Sequence, residues 1–160
     1  MNPATEKMFN NAIGRIHFTQ VEAQNIQKRG PKAVKLWKAF AKAEPDNDLA
    51  KKVVKDVVPI VEKLIKKSKP AIQSLDKLQD AGDKPHDYYD GKEFRDRTKK
   101  LLEPGADFDR DVATVVLSLA RFPNGGMFPL CKTPDVVGTV KYLKGFMNEW
   151  NALKLAINRI

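Results

Sequence analysis

Three aspartates at alternate positions, Asp107, Asp109 and Asp111, match the opening of a loop that wraps a calcium ion in carboxylates. The rest of such a loop is missing. Its sixth position is Val112 where the turn needs glycine, and its twelfth is Ser118 where a bidentate glutamate belongs. Carboxylates here also suit the start of a helix, where they accept from free backbone N–H groups and complement the helix dipole. Capping is the reading the sequence favours. A second cluster, His86, Asp87, Asp90 and Glu93, has spacings that a helix would align, and an imidazole with carboxylates can hold a hard or borderline metal. Pro85 and Gly91 interrupt that helix, so a polar loop with Tyr88 and Tyr89 tucked against the protein body is favoured instead.

Nucleophilic chemistry has little to build on. Cys131 is the single cysteine, which excludes an internal disulfide framework and a zinc site of several thiolates. Its thiolate would need His17 or His86 as a base, and no local motif joins them, so an inert apolar cysteine is the favoured reading. Paired carboxylates for glycosidic hydrolysis cannot be singled out among 20 acids, although a small basic helical hydrolase has this size and charge. Asn124-Gly125-Gly126 lacks the preceding strand and the following Lys-Ser/Thr of a phosphate-binding turn. No catalytic residue, metal or cofactor is assigned, and a non-catalytic role is expected over an enzymatic one.

Binding features are clearer. The chain carries 29 basic against 20 acidic residues, a net charge of +9, and the excess is unevenly placed. Residues 1–27 are neutral, residues 28–77 hold 14 bases against 6 acids, and residues 80–111 hold 10 acids against 7 bases. Of those 14 bases, Arg29 alone is arginine. Lysine is a hydrated point charge without arginine's bidentate fork, so the composition speaks against reading a nucleic-acid sequence. It leaves open contact with an acidic protein, with phosphates or with an anionic lipid surface. The residues concerned are Lys32, Lys35, Lys38, Lys42, Lys51, Lys52, Lys55, Lys63, Lys66 and Lys67, continued by Lys69. A solvated helix exterior is the competing explanation. A second candidate contact is the stretch from Phe122 to Cys131, where Phe122, Met127, Phe128 and Leu130 sit among prolines and glycines; it either folds back on the protein or faces a partner.

These residues need elements to position them, and the periodicity is helical throughout. Asn2-Pro3 caps a first helix carrying Met8, Phe9, Ala12, Ile13, Ile16, Val21 and Ile26, with Gly14 as the point of a close helix crossing and Gly30-Pro31 as its stop. Residues 32–43 form a short amphipathic helix, with Ala33, Val34, Trp37, Phe40 and Ala41 opposite Lys32, Lys35, Lys38 and Lys42. Asp46-Asn47-Asp48 caps a helix over about 48–68 that Pro59 must kink or break, and a shorter helix follows over 70–80. Residues 81–91 read as loop, 92–102 as helix, Asp107 to Leu119 as helix, Phe122 to Pro134 as a connection, and Pro134 onward as a last long helix. No stretch alternates with the two-residue period of a strand.

The sequence therefore predicts an all-α protein, a single-domain bundle over residues 1–160 with about six helices, three of them long. No run approaches the ~20 apolar residues of a membrane span. The N-terminal stretch lacks the apolar core of a secretory signal, and Glu6 and Glu22 make it a poor mitochondrial presequence, so an intracellular site is expected, in the cytoplasm or an organelle matrix. The expected function is docking, as an accessory or structural subunit of a larger assembly, with other protein subunits as partners. A non-specific nucleic-acid or anionic-surface binder is the alternative, and a small cationic enzyme or secreted effector the third reading.

Overall fold

A computed structural model describes residues 3–82, 96, 106–118, 120 and 134–159. Four helices are bounded within them: α1 (Pro3–Ala43), α2 (Asp48–Asp56), α3 (Val58–Gly82) and α4 (Pro134–Asn158). Residues 106–118 are helical as well, and no strand occurs among the described residues. The fold is all-α as expected, with four bounded helices where about six were expected. The expected helix over 92–102 lies outside the described residues apart from Asp96.

Prolines explain the difference. Gly30-Pro31 does not end a helix: α1 runs through it for 41 residues, and α3 likewise contains Pro70. A proline inside a helix loses one backbone hydrogen bond and strains the preceding turn, at a cost of about 3 kcal/mol. The apolar face offsets this by holding its phase across the proline. Ile26, Gly30, Ala33 and Trp37 follow one another at spacings of four, three and four, all buried, and Leu64, Ser68, Ala71, Leu75 and Leu78 do the same across Pro70. Pro59 behaves as the sequence predicts. α2 ends at Asp56 with Val57 as its C-cap, whose N–H donates to the Val53 carbonyl at 2.9 Å, and α3 starts so that Pro59 falls in its first turn, where a missing N–H leaves nothing unpaired. Asn47 caps α2 by accepting from the Ala50 N–H at 3.1 Å.

The close crossing expected at Gly14 falls at Gly30 instead. Gly14 faces open space, with nothing within 4 Å of where a Cβ would stand. Gly30 is the close crossing: a Cβ there would lie 2.8 Å from Cγ1 of Ile65 on α3. α3 lies antiparallel to α1, tied by Gln20 donating to Asp76 at 2.8 Å near one end and Lys38 donating to Glu62 at 2.5 Å near the other. α4 is antiparallel to α1 as well, with Arg15 paired to Glu149 at 3.1 Å. α1 thus sits between α3 and α4. The core contains Trp37, Phe9 and Ile16 of α1, Leu64 and Leu75 of α3, and Phe146, Trp150 and Leu153 of α4. The 106–118 segment closes it with Phe108, edge-on to Phe146 at 4.6 Å, while Phe146 stacks on Trp150 at 5.9 Å.

Candidate functional site

The lysines singled out from the sequence lie on three consecutive helices: Lys32, Lys35, Lys38 and Lys42 on α1, Lys51, Lys52 and Lys55 on α2, and Lys63, Lys66 and Lys67 on α3. All are exposed except Lys67, which is half-buried. They take the solvent side because the opposite side is spent on the core: Ala33, Val34 and Trp37 on α1, Ala50 and Val53 on α2, and Val61 and Leu64 on α3 are buried.

Among the described residues, three of the ten are engaged within the chain. Lys38 meets Glu62, and Lys67 and Lys63 converge on Asp111 at 2.7 and 3.6 Å. Burial raises the pKa of Asp111, but the hydrogen bond and charge of Lys67, with the charge of Lys63, outweigh it and hold the carboxyl below its usual range. Lys63 and Lys67 therefore fasten the 106–118 segment to α3. Lys32, Lys35, Lys42, Lys51, Lys52, Lys55 and Lys66, with Lys69, form no ion pair among the described residues. Between α1 and α3 runs an open groove of about 470 Å³, lined by Pro31, Val34, Glu62, Ile65 and Lys66.

The three aspartates that open like a calcium loop point to different partners. Asp107 pairs with Arg110 on its own helix, Asp109 faces Lys154 of α4 at 3.7 Å, and Asp111 takes Lys63 and Lys67 of α3. Burial pushes the Asp109 carboxyl up, against the charge and hydrogen bond of Lys154. Among the described residues no group of three or more His, Cys, Asp or Glu is placed to hold a metal ion. Phe122, Met127, Phe128 and Leu130 lie outside the described residues, as do His86, Asp87, Asp90, Glu93 and Cys131. His17 is exposed on α1, with Phe18 beside it at a ring-centroid distance of 6.0 Å.

Compared with known proteins, the chain matches no family model, no curated protein and no solved structure. Among the described residues, no helix is long and apolar enough to cross a membrane. A further charged cluster among the described residues had not been singled out from the sequence. Along the α1–α4 seam, Arg29 and Glu22, seven residues apart, lie over Gly138 and Gly145, also seven apart, with 2.8 Å from each glycine's Cβ position to the overlying side chain. Arg29 also sits over the Tyr142 ring, 5.7 Å from its centroid. Burial pushes the Glu22 carboxyl up, Glu149 pushes it further, and Lys141 opposes both. One of its oxygens, Oε2, is buried without a hydrogen-bond partner. The seven-residue repeat of glycine in the last helix was the available signal.

Proposed function

We propose that the protein is a non-catalytic docking protein, an accessory or structural subunit that engages the acidic surface of another protein through the lysines of α1, α2 and α3. The observation behind this reading is the set of exposed lysines that no carboxylate of the described chain answers. Placing so many like charges on three successive elements costs self-repulsion, and an acidic partner relieves it. Lysine suits a diffuse carboxylate surface, whereas planar, bidentate recognition of phosphate or base edges favours arginine. In this reading the apolar stretch with Phe122, Met127, Phe128 and Leu130 supplies a second contact, and the protein works inside the cell, in the cytoplasm or an organelle matrix.

Sedimentation of the native protein from lysate, with and without nuclease, tests the proposal. The expected result is a particle far larger than the 18.0 kDa chain that resists nuclease. A variant with Lys35→Glu, Lys52→Glu and Lys66→Glu should sediment as free protein, and Phe128→Asp should weaken the association. A free monomer in both samples overturns the reading. A particle that collapses on nuclease treatment overturns it in favour of non-specific nucleic-acid binding by the same lysines, which salt should weaken steeply.

A further inference from the structure

We propose that the groove between α1 and α3 seats an apolar anchor side chain carried by an acidic segment of the partner protein. This rests on the docking reading above and adds the chemistry of the partner. Among the described residues lining the groove, Pro31, Val34 and Ile65 are apolar, in a region whose exposed positions are otherwise largely lysine. Gly30 is what lets this floor form. Because it has no side chain, Ile65 closes to 2.8 Å from its Cβ position, and α3 comes up against α1 beneath the groove. Glu62, the one carboxylate among the described residues of the lining, is already answered by Lys38 at 2.5 Å.

Lysine rows flank the floor on both sides. On α1, Pro31, Lys35, Lys38 and Lys42 follow at spacings of four, three and four, which keeps them on one side of the helix. On α3, Glu62, Lys66 and Lys69 do the same at four and three. Lys35, Lys42, Lys66 and Lys69 have no ion-pair partner among the described residues. An apolar floor between cationic rows is complementary to a segment in which a hydrophobic side chain is flanked by Asp or Glu. The anchor is dehydrated at the centre while the carboxylates meet the lysines at a hydrated rim, the usual division in protein interfaces. A groove open to solvent suits a side chain on a polypeptide passing over it better than an enclosed small molecule. Among the described residues its lining has no aromatic ring on which a base could stack.

Fluorescence anisotropy with two synthetic peptides of equal charge tests the inference. One carries a central leucine flanked by glutamates, and the other has alanine in place of that leucine. The leucine peptide should bind the full-length protein about tenfold more tightly than the alanine peptide, the gain expected for partly burying the extra carbons. That ratio should fall to within about twofold in Ile65→Thr and, on the opposite wall, in Pro31→Gln, while the affinity for the alanine peptide stays unchanged. Far-UV circular dichroism checks each fold, and two walls are used so that the loss of one variant leaves the other. Equal binding of both peptides by the wild type overturns the groove proposal and leaves the docking reading standing. Failure of both peptides to bind at low salt overturns the docking reading itself.

Discussion

Glu22 and Asp111 show how two carboxylates of one helical protein acquire opposite roles. Glu22 lies over Gly145 with one oxygen buried and unpartnered, near Glu149, with Lys141 as the opposing cation. Its folded-state pKa is raised above the ordinary 4.5, so the folded protein binds that proton more tightly than the unfolded chain. Its ionised form therefore weakens the fold. The penalty is absent below pH 4.5, grows as pH rises through the folded pKa, and is constant above it. Glu22→Gln should stabilise the protein at pH 7 by less than about 1 kcal/mol, because solvent screens part of the carboxylate. In thermal melts across pH the advantage should fade toward pH 4. An advantage that is the same at every pH would remove ionisation as its cause. Asp111 runs the other way. Its lowered pKa contributes stability above 3.8 that is lost as pH falls through the folded value, so Asp111→Asn should weaken the protein at pH 7 and match it in strong acid.

For the helices, the same local signals were read correctly in some places and overridden in others. Asn47 as a cap, the break before Pro59 and the start at Pro134 were legible because each rests on backbone chemistry confined to a few residues. The stops expected at Gly30-Pro31 and before Pro70 failed because a proline's local cost competes with burial summed over turns on either side. The preserved phase of Ile26, Ala33 and Trp37 already pointed to continuity. The lysine face could be read from spacing alone, but its internal partners could not: Lys67 meets Asp111 at a sequence separation of 44 residues. The groove was hidden for the same reason, since it depends on which helix lies against Gly30. That difference between the two glycines can be measured by urea unfolding. Gly14→Ala, in open space, should raise stability by about 0.5–1 kcal/mol through lower backbone entropy of the unfolded chain. Gly30→Leu should cost about 1–3 kcal/mol, because the new side chain must displace Ile65 and α3. Equal effects at the two sites would mean that α3 does not press on α1 at this point.

On the scale of the whole molecule, the charge is arranged so that one end can be steered. Residues 1–27 are neutral while residues 28–77 carry a local +8, so the field is strongest over the lysine face. Exposed charges act over a Debye length of about 10 Å at 0.1 M salt, enough to bias the approach of an acidic segment before contact, and higher salt shortens that reach. The anchor groove acts only after contact, when an apolar side chain has lost its water. The two parts of the surface should therefore separate kinetically. For the acidic leucine peptide, neutralising Lys35, Lys52 and Lys66 to Gln should slow association several-fold and flatten its dependence on salt. Ile65→Thr should leave association nearly unchanged and speed dissociation. Stopped-flow mixing at low and high salt measures both rates. If the lysine variant changed only dissociation, its charges would be acting as short-range contacts and the +8 of residues 28–77 would have no steering role. If Ile65→Thr changed only association, the floor of the groove would not be holding the bound peptide.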